Sequence, residues 1–168
     1  GLRTFPELVQ EGIAAYGRGE NESAAGLFRR ALELRKDHYI PYYYLGLIEY
    51  ADRDYTMSDY LYSQALERGA AKGLIYYAKG ITAYSAEETA NAVDYLREVL
   101  TNDPEGYGSK ARELLERISA EEDGVKPASE PAALQEEPEG ESDPAEALPD
   151  DTGEESDSPD GELPAEGA

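Results

Sequence analysis

Hydrophobic and polar positions recur along the first hundred residues with a period of 34. Each period holds two segments with apolar side chains at helical spacing, separated by short polar or glycine-containing turns. Seven columns of residues agree in three copies without an insertion. They are Leu8, Tyr42 and Tyr76; Gly12, Gly46 and Gly80; Tyr16, Tyr50 and Tyr84; Ala24, Ser58 and Ala92; Phe28, Tyr62 and Leu96; Ala31, Ala65 and Val99; and Leu32, Leu66 and Leu100. A fixed period of this length predicts helical hairpins that bury their apolar faces by stacking on one another.

Seven helices follow from this pattern. They span about residues 5–18, 20–36, 39–51, 55–68, 73–85, 88–102 and 109–122. Thr4 and Glu7 fit a capping box at the first helix, and Pro104 ends the sixth because proline cannot continue a helix. The small columns have a packing role, since a side chain larger than alanine at the glycines would push the two helices of a hairpin apart.

The order of large, glycine, small, aromatic and small residues at this period resembles the tetratricopeptide repeat. The resemblance implies an all-α solenoid of three helical hairpins, at about residues 5–38, 39–72 and 73–106, closed by a capping helix at about 107–122. We therefore expect one repeat domain over residues 1–123.

Residues 124–168 differ sharply from this domain. They hold 15 acidic residues, one basic residue (Lys126), seven of the ten prolines and no aromatic residue. Such a segment cannot bury enough apolar surface to offset its chain entropy, so we expect a disordered acidic tail. The tail is interpreted as a solvating spacer, a ligand for a basic surface, or a mark of a high-salt or GC-rich source.

In tetratricopeptide repeats, the first helix of each hairpin lines a concave groove. The resemblance places 18 residues of this chain at groove positions, and none of them is charged. The predicted partner-binding residues are Val9, Ile13, Tyr16, Tyr43, Tyr44, Leu47, Tyr50, Tyr77, Ile81 and Tyr84. An uncharged, tyrosine-rich lining is typical of a recognition surface.

Two uses of these tyrosines remain open at this point. Tyr16, Tyr50 and Tyr84 can pack between repeats, contact a ligand, or do both. For Tyr43, Tyr44 and Tyr77 we expect some exposure, on the argument that adjacent residues cannot all face the core. The face could also be covered by further repeats or by a second copy of the chain.

Several functions are disfavoured. The groove positions hold no Lys, Asn or Arg, so they lack the carboxylate clamp with which some tetratricopeptide domains bind chaperone tails. The single histidine, His38, is interpreted as a turn residue, and Asp52-Arg53-Asp54 lacks the later ligands of a calcium loop. No catalytic, metal or cofactor site is predicted. The net charge of −22 disfavours nucleic acid, and no apolar run is long enough for a membrane span.

The predicted function is a non-catalytic scaffold that binds a peptide or helix of a partner protein in the groove. The alternative is a structural or self-assembly module, in which the groove packs on further repeats or on a second subunit. A homo-oligomer stays open as an expectation, and a monomer would favour peptide binding. The chain begins at Gly1 rather than Met, so we expect a processed chain or a piece of a longer one. We expect a soluble protein, with the cytoplasm slightly favoured over the periplasm or secretion.

Overall fold

A computed structural model describes residues 2–124 of the chain. Within these residues there are seven α-helices and no strand. The helices are α1 (Phe5–Gly17), α2 (Asn21–Leu34), α3 (Tyr39–Ala51), α4 (Tyr55–Glu67), α5 (Lys72–Ser85), α6 (Thr89–Asn102) and α7 (Gly108–Glu122). The predicted all-α repeat fold is confirmed for this part of the chain. The prediction of an acidic disordered tail falls outside the described residues.

Side-chain caps begin three of the helices. Thr4 accepts a hydrogen bond from the Glu7 backbone N–H at 3.3 Å, and Asp54 accepts one from Met57 at 3.1 Å. His38 caps α3, because its Nδ1 accepts the Ile40 N–H at 3.3 Å. These residues satisfy donors that have no partner in the first turn of a helix. The residue interpreted as a turn histidine is therefore an N-cap.

The turn inside each hairpin has the same form in all three repeats. Gly19, Arg53 and Glu87, which are 34 residues apart, adopt the left-handed conformation with φ of 77°, 62° and 62°. The following N–H donates to a carbonyl five residues back, as from Glu20 to Ala15 at 2.9 Å. This is the pattern of a Schellman motif, which ends one helix and turns the chain towards the next.

The hairpins pack as α1–α2, α3–α4 and α5–α6, and consecutive hairpins meet through α2–α3, α4–α5 and α6–α7. One hydrophobic core runs from Phe5 to Ile118. Three of the recurring columns lie on the second helices and have no exposed surface. Their nine residues are Ala24, Ser58 and Ala92; Phe28, Tyr62 and Leu96; and Ala31, Ala65 and Val99. These recurring positions therefore face the interior of the stack.

The glycine column lies directly against the aromatic column. A Cβ atom at Gly46 would come within 2.5 Å of Tyr62 Cε1, and one at Gly12 within 2.8 Å of the Phe28 ring. Gly80 has the same relation to Leu96, at 2.8 Å. A ring in the first two repeats, and Leu96 in the third, fills the space that the missing side chain leaves, so the predicted close approach at the glycines is present.

Candidate partner-binding site

The structure divides the ten predicted groove residues into two groups. Four are only partly buried: Ile13, Tyr16, Tyr50 and Tyr84. Six are buried, each with at most 4% of its surface exposed: Val9, Tyr43, Tyr44, Leu47, Tyr77 and Ile81. The expectation that some of Tyr43, Tyr44 and Tyr77 would be exposed is therefore wrong. These three side chains belong to the core.

Tyr43 and Tyr44 are both buried because α3 has neighbours on two sides. Tyr44 stacks on Phe28 of α2 with ring centroids 5.2 Å apart and meets Tyr16 of α1 edge-on at 5.6 Å. Tyr43 packs towards Tyr62 of α4 at 6.1 Å. Side chains about 100° apart on a helix can both be buried when the core surrounds most of that helix. Burial also raises the pKa of the Tyr43 phenol well above its usual value.

The last repeat is closed by an aromatic residue that the sequence interpretation did not select. Tyr107, just before α7, is buried and lies 5.3 Å from Tyr77 between ring centroids. A signal for it was present, because Tyr107 continues the 34-residue spacing of Phe5, Tyr39 and Gly73. Tyr77 is buried because this ring and α7 extend the stack as a further first helix would.

The three partly buried tyrosines form a ladder that we call the Tyr ladder: Tyr16, Tyr50 and Tyr84. Each is fixed by a contact to another element. The Tyr50 hydroxyl is 2.8 Å from Ser85 Oγ in the next repeat, and the Tyr84 hydroxyl donates to Glu121 of α7 at 2.6 Å. Burial, and then the bond to Glu121, raise the pKa of Tyr84.

These contacts give the Tyr ladder two properties at once. The rings are held in place by neighbouring elements, so little side-chain entropy would be lost on binding a ligand. Each of the three residues is still partly exposed at the surface. The ladder and Ile13 are thus the part of the predicted site that a partner could reach.

Among residues 2–124, no group of three or more His, Cys, Asp or Glu side chains is placed to hold a metal ion. No helix in the same range is long and apolar enough to cross a membrane.

Comparisons with known proteins agree with this architecture. Residues 9–57 match a family model for the tetratricopeptide repeat. Among solved structures, the fold is similar to the crystal structure of SycD, a type III secretion translocator chaperone of Yersinia enterocolitica, described as an alternative dimer. The TM-score is 0.64, at 18% identity, over 73% of this chain and 97% of that chain. At this identity the likeness shows the fold alone. No curated protein matches the chain in the sequence comparison.

Proposed function

Because the chain is a tetratricopeptide-repeat protein, we propose that it is a non-catalytic scaffold that binds a peptide or helix of a partner protein. Repeat domains of this kind present an elongated surface to other proteins. The proposed contact surface is the concave face along α1, α3 and α5, with Ile13 and the Tyr ladder in direct contact. The buried residues Tyr43, Tyr44 and Tyr77 would support that surface from below.

The Tyr ladder is the observation that carries this proposal. Its three rings recur at the same position of each repeat, are partly exposed, and are held by neighbouring elements. Tyrosine supplies a large contact area at low entropic cost, with a hydroxyl that can stay hydrated. A regular row of such rings suits an extended or helical segment that contacts several repeats.

The proposed ligand is largely uncharged. None of the 18 groove positions is charged, and Val9, Ile13, Tyr44, Leu74 and Ala78 occupy the positions where a carboxylate clamp would require cationic or amide groups. A carboxylate there would lose hydration without gaining a cationic donor. We therefore expect apolar peptides to bind, with an affinity that depends little on salt.

The test is a selection of peptides from a displayed library, followed by calorimetry with matched variants. Tyr50→Ala should weaken binding at least about fivefold, as expected for the loss of an aromatic anchor of roughly 1 kcal/mol or more. Leu34→Ala is the control, because Leu34 lies at the end of α2, away from the proposed contact surface, and is 56% exposed. It should leave the affinity unchanged.

Two results would contradict the proposal. The first is a peptide whose affinity falls for Leu34→Ala and not for Tyr50→Ala, because that ligand binds another face. The second is a stable dimer, seen by light scattering, that Tyr50→Ala dissociates. The concave face would then be a subunit interface, as in the self-assembly alternative.

A further inference from the structure

A second candidate surface lies between the second and third repeats, on α4, the end of α5 and the start of α6. A cavity of about 180 Å³ is formed there. The residues that line it include two tyrosines, two acidic residues and an asparagine: Tyr55, Tyr95, Asp59, Glu88 and Asn91. Paired carboxylates between aromatic rings are the surroundings that proteins use for ammonium and guanidinium groups.

A cationic side chain of the protein itself, that of Lys79, already contacts two of these residues, Asp59 and Tyr95. Lys79 is almost fully buried, with 6% of its side chain exposed, and its Nζ donates to Asp59 Oδ1 at 3.0 Å. The same Nζ donates to Ser63 Oγ at 2.5 Å and lies 5.2 Å from the centre of the Tyr95 ring. Lys79 occupies a position where the second repeat has Leu45, so this cluster is particular to the third repeat.

The cluster retains negative charge after Lys79 is counted. Asp59 and Glu88 contribute two carboxylates and Lys79 one ammonium, which leaves one carboxylate without a cation. Asp59 stays accessible, with 39% of its side chain exposed. This negative charge acts on the Tyr95 phenol. Burial is the largest cause of its raised pKa, and the carboxylates of Asp59 and then Glu88 raise it further because they disfavour a second negative charge nearby.

We propose that this cavity receives a lysine or arginine side chain from a basic partner protein. One incoming cation would neutralise the cluster. The carboxylates would accept its hydrogen bonds, and the tyrosine rings would contact its charged or aliphatic part. The cavity lies on different helices from most of the Tyr ladder, so this surface goes beyond the function proposed above.

Neighbouring surface favours a protein segment over a free amine. Tyr60 follows Asp59 and lies one helical turn beyond Thr56, which also lines the cavity. Tyr60 is 56% exposed and Met57 42%, and both count among the few large hydrophobic side chains that are exposed in the described residues. A peptide that inserts a basic side chain could cover them with an adjacent apolar residue. The net charge of −22 would also accelerate encounters with a basic partner.

The first experiment compares two ligands of nearly the same shape by NMR titration at constant ionic strength. Acetyl-arginine amide should shift the amide signals of residues 55–60 and 82–95 in a saturable way. Acetyl-citrulline amide, which lacks the charge, should bind at least about fivefold more weakly because charge-assisted hydrogen bonds are lost. Equal effects of the two ligands, or shifts that lie elsewhere, would overturn the proposal.

A matched pair of variants locates the cation. Glu88→Gln removes one carboxylate, and it keeps the oxygen that accepts the Asn91 amide bond, now 3.0 Å long. This variant should bind acetyl-arginine amide severalfold more weakly, and its affinity for groove peptides should be unchanged. Glu113→Gln makes the same change on the exposed face of α7 and should have no effect. An unchanged affinity of Glu88→Gln would contradict the assignment even if the groove proposal holds.

A second pair of probes identifies the source of the cation. Acetyl-Leu-Arg-Leu-amide should bind several times more tightly than butylguanidinium, and Tyr60→Ser should remove only that difference. If butylguanidinium binds as tightly as the peptide and Tyr60→Ser changes neither, the cavity is a site for a free small cation. The assignment to a partner protein would then be wrong.

Discussion

At the residue scale, the glycine column gives the sharpest stability prediction. Gly46→Ala should destabilise the protein by about 1–3 kcal/mol, because the new Cβ would come 2.5 Å from the buried Tyr62 ring, which has little room to move. Gly26→Ala is the control, since a Cβ there meets nothing within 4 Å. It should stabilise α2 by about 0.5–1 kcal/mol, as alanine does in a helix interior. Urea unfolding of both variants tests this, and equal effects would contradict the packing account.

The ion pair of Lys79 and Asp59 should respond unequally to loss of its two partners. Asp59→Asn leaves a buried ammonium without its counter-ion and should cost about 1–3 kcal/mol, reduced from the fully buried case by the exposure of Asp59. Lys79→Met should stay within about 1 kcal/mol of the parent, because Leu45 is buried at the same repeat position. Thermal or urea unfolding in which Lys79→Met costs more would show that the pair itself stabilises the fold.

The role of a residue could be predicted from the sequence where the residue recurs in every repeat. It could not be predicted where it depends on which other helices pack nearby. The glycine and aromatic columns have the same environment in every repeat, so recurrence alone indicated close packing. The burial of Tyr43 and Tyr44 depends on how many helices surround α3, which no single-helix pattern contains. Lys79 was visible as a departure from the repeat, but its partner Asp59 lies 20 residues away and required the structure.

At the element scale, the left-handed turn residues are a source of adjustable stability. Arg53→Gly should stabilise the protein by about 0.5–1 kcal/mol, because a left-handed conformation is unfavourable for a residue with a Cβ. Gly19→Ala should destabilise by about the same amount, since nothing lies near a Cβ there and only the backbone is strained. Thermal unfolding tests both. A destabilised Arg53→Gly variant would mean that its side chain contributes more than the turn costs.

The sequence predicted the number of helices well, but it predicted the ends of the helices less accurately. All seven helices were predicted, and α3 was placed at residues 39–51, as found. The second helix ends at Leu34 and not near Lys36, because Arg35 is extended with φ of −145° and pairs with Asp37. Residues 35–38 are all polar, so no apolar position marks where the backbone leaves the helix.

At the scale of the whole molecule, buried phenols should make the fold sensitive to alkali. The pKa values of Tyr43, Tyr62, Tyr84 and Tyr95 are all raised, with burial the largest cause for each. A phenol with a raised pKa holds its proton more tightly in the folded state than in the unfolded chain. The contribution is therefore complete below the unfolded value near 10 and is lost as the pH rises above it.

The free energy of unfolding should accordingly be level up to about pH 9 and fall above pH 10. Above pH 10, where the phenols of the unfolded chain ionise, each phenol that stays protonated in the folded state contributes a slope of roughly 1.4 kcal/mol per pH unit. Urea unfolding at several pH values between 8 and 11.5 measures this slope. Tyr62→Phe removes one of these phenols, whose pKa burial raises, and should therefore reduce the slope by about one group. An unchanged slope in that variant would contradict the assignment.

The concave face itself is the central claim at this scale. The residues proposed for it could be chosen from the sequence because the period sets their positions. Their exposure could not be predicted, since neighbouring helices bury Tyr43, Tyr44 and Tyr77. The accessible surface is consequently narrower than the ten residues first selected.

Amide hydrogen exchange of the protein with and without its tightest selected peptide tests this claim most directly. Binding slows exchange where a ligand stabilises the backbone against local opening. We expect new protection in α1, α3 and α5, strongest around Tyr50, with little change in α2, α4 and α6. Protection concentrated in α4 and α6 would instead place the partner on the outer face and contradict the proposed function.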